Sequence, residues 1–171
     1  MAAPPPAPLA VKRVQKEFKV LAEATSAATG AANPTIAPEI KSVRLVSDSN
    51  IFSWNVTIAG PSGSPYEHGF FRIVVDISAD YPHRAPTMAF ATRLWHPGVD
   101  FTSGKICEAI FSEWAPTMTI ADALSLVVDV LRSPKEHRQE VNLEALEQLE
   151  KDPAGFNKKA ASLTAQHALS L

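Results

Sequence analysis

Cys107 is the single cysteine in the chain, and two chemistries are open to it. A lone thiol is either inert core filler or a nucleophile whose thiolate attacks a carbonyl and leaves again. It stands in Ser103-Gly104-Lys105-Ile106-Cys107-Glu108-Ala109-Ile110, shortly after a glycine that lets backbone or a partner approach closely. His96 precedes it by eleven residues, yet nothing between them has the local signature of a Cys/His hydrolase. No pair of histidines has ligand spacing, so the residues give little support to a catalytic zinc held by Cys107. One cysteine also excludes an intramolecular disulfide framework and fits a reducing compartment. Residue types alone stop at a thiol with two readings.

The elements that must position this thiol are legible from period and punctuation. Val11, Val14, Phe18 and Leu21 recur at helical spacing, so a helix spans about residues 10 to 24, with Lys12, Arg13, Lys16 and Lys19 on its exposed side. Phe52, Trp54, Val56 and Ile58 alternate with polar residues, as do Phe71, Ile73, Val75 and Ile77, which is strand periodicity. Further strands fit Lys41 to Val46 and Thr87 to Ala91, joined by turns at Asp48-Ser49-Asn50, Gly60 to Pro65 and Tyr81 to Pro86. Sequential short connections predict a four-stranded antiparallel meander. Residues 92 to 118 keep no period and read as a long irregular segment, the kind that is usually functional. Thr119 with Asp122, then Asn142, then Asp152 with Pro153, start three C-terminal helices. The expected class is α+β, with helices packed on a sheet.

At 171 residues, the chain fits one domain, residues 11–171, behind a disordered Ala/Pro tail at 1–10 and interrupted by a long loop at 25–38. A net charge of -2 excludes a global basic field for nucleic acid or an anionic membrane. No apolar run is long enough to span a bilayer, because Ser125 and Asp129 interrupt the richest one. The N-terminus lacks a basic region, Ala2 excludes myristoylation, and Leu169-Ser170-Leu171 matches the peroxisomal Ser-Lys-Leu address poorly. A cytoplasmic protein is expected.

Five motifs in order make the thiol more specific. Gly60-Pro61-Ser62-Gly63-Ser64-Pro65-Tyr66-Glu67, Tyr81-Pro82 with Ala85-Pro86, His96-Pro97, Gly104-Lys105-Ile106-Cys107 and Trp114-Ala115-Pro116 resemble the ubiquitin-conjugating enzyme family over roughly residues 11 to 168. Asp48 to Trp54, Gly155-Phe156-Asn157 and a stretch from Gly98 to Cys107 that is one residue long are similar to the family's peroxisomal branch.

The resemblance implies that Cys107 takes ubiquitin from an activating enzyme as a thioester and passes it to an acceptor cysteine or lysine, in that branch a peroxisomal import receptor. The activating enzyme spends the ATP, so no cofactor or metal is implied. His96, Pro97 and Trp114 are expected to be structural. Gly98 stands where the family has an asparagine that steadies the loop and the oxyanion. Losing such a donor costs about 10² to 10³ in rate, so weak transfer to lysine is expected. Glu136 and His137, after the long helix, are the candidates to orient the acceptor. Lys12, Arg13 and Lys16 match the surface for the activating enzyme. His83, Arg84, Ala115 and Pro116 match that for a RING-type ligase. A membrane-anchor peroxin would explain peripheral attachment to the peroxisome, without direct insertion. Two alternatives stay open: a weak or silent family variant acting as a scaffold, for which Gly98 argues, and a carrier of another ubiquitin-like modifier.

Overall fold

The computed structural model describes residues 8–26, 35–136 and 140–170. Helix α1 (Pro8–Thr25) is followed by strands β1 (Ile40–Ser47), β2 (Asn50–Ala59), β3 (Phe70–Asp76) and β4 (Thr87–Phe90). A single 3-10 turn (Glu108–Phe111) then leads to helices α2 (Ile120–Arg132), α3 (Leu143–Lys151) and α4 (Pro153–His167). This is the α+β class predicted from periodicity.

The helix starts at Pro8, earlier than the sequence implied. Proline suits the first helical turn because its missing N–H has no helical partner to lose, and Ala10 is already buried. The rest of the Ala/Pro tail, residues 1–7, lies outside the described residues, as does most of the 25–38 loop, residues 27–34.

The sheet runs β1-β2-β3-β4, antiparallel throughout. Register pairs Val56 with Val43 and Ile73, and Ile73 in turn with Phe90. Trp54, Val56, Ile58, Phe71, Ile73 and Val75 are fully buried; they share one face because strand side chains alternate. Val14 and Leu21 of α1 and Leu124, Val127, Val128 and Leu131 of α2 join the same core. Phe18 meets Trp54 edge-on at 5.3 Å. Burying each large apolar side chain contributes about 1.5–3 kcal/mol, which fixes the sheet and two helices as one platform.

The caps hold as read. Thr119 and Asp122 form a reciprocal capping box on α2, Asn142 accepts from the Ala145 N–H on α3, and Asp152 from the Gly155 N–H on α4. Residues 92–118 are more regular than their lack of period implied. Bridges Ala89↔Lys105 and Val99↔Ile106 lay a short hairpin against β4.

Candidate active site

Cys107 emerges from that hairpin. Its backbone N–H donates to the Gly98 carbonyl at 2.9 Å, its carbonyl accepts from Ile110 as the 3-10 turn begins, and the residue is half-buried. Gly98 is buried, and its own N–H donates to His96 Nδ1 at 2.9 Å. Nδ1 therefore accepts, so the ring proton sits on Nε2, 3.1 Å from the Val130 carbonyl. A histidine with both nitrogens so engaged ties the loop to α2 and is poorly placed to take a substrate proton. Pro97 presents its carbonyl to the N–H groups of both Val141 and Asn142, at 3.2 and 2.8 Å. The sequence carries no local signal for these two backbone donors, since Asn142 reads there only as a helix cap.

The tip of the hairpin is closed by Asp100, whose carboxylate accepts from the Ser103 and Thr102 N–H groups and the Ser103 hydroxyl. Gly104 sits at φ +72, and a Cβ there would fall 1.9 Å from the Phe90 carbonyl, so only glycine fits. The bonds from Ser103, chiefly its N–H, hold the Asp100 carboxyl below its ordinary range. A depressed carboxyl stabilises the tip fully above its unfolded pKa and loses that contribution as pH falls through the folded value. NMR amide shifts of Thr102 and Ser103 should thus stay constant down to about pH 5 and move only below about pH 4. Asp100→Asn should remove that titration; a transition near neutral pH would contradict it.

Beside Cys107 lie two clefts that share Thr87, Glu108 and Phe111. One of about 170 Å³ reaches Asp76 and Lys105, and one of about 390 Å³ reaches His83, Arg84 and Trp114. Glu108 lines both clefts and Ile106 the smaller one, so the residues on either side of Cys107 in the chain border this surface. Glu136 is not brought here; it lines a separate depression with Pro65, Leu149 and Phe156, to which no residue of the Cys107 loop contributes. His137 lies outside the described residues.

On α1, Lys12 and Lys16 are exposed. Arg13 is not part of that exposed basic face. Its guanidinium turns inward to the Pro116 and Met118 carbonyls, both at 2.6 Å, and to Glu17 at 2.8 Å, and it stacks 5.3 Å from the centre of the Tyr81 ring. Partial burial opposes its charge, but the bond to Glu17 and the charges of Tyr81 and Glu17 outweigh it and raise its pKa. Position on the helix suggested a partner contact; reach makes Arg13 an internal strut. Trp114 donates to the Pro82 carbonyl at 2.7 Å and leans on Tyr81. These contacts join α1 to both the 81–86 and 114–119 loops. His83, Arg84 and Pro116 are exposed, and Ala115 is half-buried.

Among the described residues, no group of three or more His, Cys, Asp or Glu forms a metal-binding cluster, and no helix is long and apolar enough to cross a membrane.

The frame is one helix, a four-stranded antiparallel meander and three C-terminal helices, with a half-buried thiol on the hairpin that follows His96. The ubiquitin-conjugating enzyme family model matches residues 13–164. The chain is 37% identical over 131 residues to ubiquitin conjugating enzyme E2 B of Dictyostelium discoideum, covering 77% of this chain and 87% of that one. It is 32% identical over 140 residues to ubiquitin-conjugating enzyme E2 15 of Schizosaccharomyces pombe, covering 74% and 83%. The E2 domain of a Toxoplasma gondii ubiquitin-conjugating enzyme superposes with a TM-score of 0.76 at 28% identity, covering 93% of this chain and 99% of that one. The chain belongs to the ubiquitin-conjugating enzyme family.

Proposed function

We propose that Cys107 is the residue on which this enzyme carries ubiquitin. Its thiolate attacks the C-terminal carbonyl of ubiquitin held as a thioester on the activating enzyme. The activating enzyme's thiol leaves and takes the proton, and the acyl group now sits on Cys107. An acceptor amine or thiol repeats the attack and frees Cys107. Activation has been completed upstream with ATP, so this chain needs no cofactor. The observation that carries the reading is the free, half-buried thiol set between Ile106 and Glu108, two residues that line the cleft.

The acceptor we infer is a cysteine or lysine of a peroxisomal import receptor. Support comes from the likeness to the peroxisomal enzyme, peroxin 4, in Asp48 to Trp54, in Gly155 to Asn157 and in the lengthened Gly98 to Cys107 stretch. A membrane-anchor peroxin would then recruit the protein. Lys12 and Lys16 would meet the activating enzyme, and His83, Arg84, Ala115 and Pro116 a RING-type ligase. His83 is polar where ligase surfaces of the family have an aromatic residue, so an unusual ligase is expected.

The test is incubation with activating enzyme, ATP and ubiquitin, followed by a non-reducing gel. The expected adduct is reductant-labile in the natural protein, reductant-stable in Cys107→Ser and absent in Cys107→Ala. No adduct favours the scaffold reading, for which Gly98 speaks; an adduct formed only with another modifier changes the passenger.

A further inference from the structure

We propose that Phe101 and Trp95 form an aromatic clamp, closed at its ends by Arg93 and Lys159, that positions the Cys107 loop for transfer. Gly98 has no side chain to steady that loop, so the steadying must come from elsewhere. Phe101 sits at the hairpin tip, three residues after Gly98 and six before Cys107. Its ring meets Trp95 edge-on at 5.4 Å and 80°, the geometry aromatic pairs prefer. Arg93 lies over the Phe101 ring, 5.5 Å from its centre, and Lys159 Nζ of α4 lies 3.2 Å from the centre of the Trp95 ring.

Trp95 is only 3% exposed. Its Nε1 donates to Gln148 of α3 at 2.9 Å, and its carbonyl accepts from the Tyr66 hydroxyl at 2.6 Å. The indole is therefore fixed by α3 and α4 and the Trp95 backbone by the 61–69 turn, and His96, Pro97 and Gly98 follow directly in the chain. The first arm of the hairpin refers to this ring through the backbone and the tip through Phe101, and the second arm is tied to the first by the Cys107 N–H to Gly98 carbonyl bond. Transfer depends on placing the thioester within a fraction of an ångström of the acceptor, so loosening the tip should show in rate before it shows in fold. Phe101 and Trp95 are positioning residues; neither touches Cys107.

The clamp rests on the thioester reading. The experiment loads the full chain with ubiquitin and follows single-turnover discharge to free lysine and to a small thiol, together with hydrogen exchange at the Cys107 amide. Phe101→Ala is expected to slow both discharges roughly ten-fold at saturating acceptor, to leave half-saturation unchanged and to speed Cys107 exchange. Phe101→Tyr should restore all three. Lys159→Met, on a partly exposed residue, removes both the ring contact and the 3.0 Å ion pair with Glu144 and should give the same pattern at roughly two- to three-fold, whereas Glu144→Gln, which breaks the ion pair alone, should not. Discharge within about two-fold of the natural rate in Phe101→Ala, with Cys107 exchange unchanged, overturns the clamp. So does a loss that tyrosine cannot restore. Should Phe101→Ala not fold, Lys159→Met decides, and unchanged discharge and exchange there overturn the proposal. Failure of the natural protein to load at all would instead overturn the thioester reading beneath it.

Discussion

Gly98→Asn raises discharge of the ubiquitin thioester to free lysine by about 10² to 10³, the usual worth of one oxyanion donor, while leaving loading of Cys107 unchanged. The backbone at this position allows the substitution. Among the described glycines only Gly63 and Gly104 have positive φ, so the backbone at 98 is one an asparagine adopts without strain. The Gly98 N–H and carbonyl are already engaged with His96 and Cys107, so the natural protein has no donor to spare at this position. An asparagine would add a side-chain amide donor, and both existing bonds are backbone ones that an asparagine can also make. Attack by an amine builds negative charge on the thioester oxygen and feels the donor strongly. Attack by a thiolate exchanges one thioester for another, is nearly isoenergetic and feels it less. Discharge to a small thiol should therefore rise far less than discharge to lysine, and the ratio of the two rates in single-turnover assays is the measurement. Equal lysine discharge by both proteins, with normal loading, would show that backbone or water already supplies the donor.

The difference between what was legible in sequence and what was not follows from the range of the interactions. Strand β2 could be read because Trp54, Val56 and Ile58 alternate with polar residues, and helix α2 because Thr119 and Asp122 cap it within one turn. Both signals are local. Cys107 could be picked out because it is the sole cysteine, and the family because the flanking motifs fall in family order. Arg13 could not be read, since helical position sets where a Cα lies but not where a long guanidinium ends. Its carbonyl partners lie 103 and 105 residues away. Phe101 looked like one apolar residue in an aperiodic loop, and only folding shows it between Arg93 and Trp95. Glu136 shows the same limit: its place in the loop after α2 was legible, but not that it lines a depression with Pro65, Leu149 and Phe156.

Glu17→Ala is expected to destabilise the protein by about 3 kcal/mol, because one carboxylate satisfies three separated elements. Its Oε1 accepts from Arg13 at 2.8 Å and from the Tyr81 hydroxyl at 2.6 Å, and its Oε2 accepts from the Ile120 N–H at 2.8 Å. The side chain is 11% exposed, so water cannot replace all three bonds. Each orphaned buried donor costs about 1–3 kcal/mol; Arg13, the most exposed of the three, recovers most of its share from solvent. For a domain of this size the loss corresponds to a fall in Tm of about 6–12 °C. Glu17→Gln keeps the shape and one acceptor oxygen, so it should fall less. A structural loss alone would stop there, but two of the elements joined, α1 and the 81–86 loop, carry surfaces proposed for the activating enzyme and ligase. Below the new Tm, loading of Cys107 should therefore slow with a raised half-saturation for activating enzyme, while discharge of thioester already formed stays near normal. A Tm within about 2 °C of the natural protein would mean that Arg13, through its two carbonyl bonds, holds α1 to the platform without Glu17.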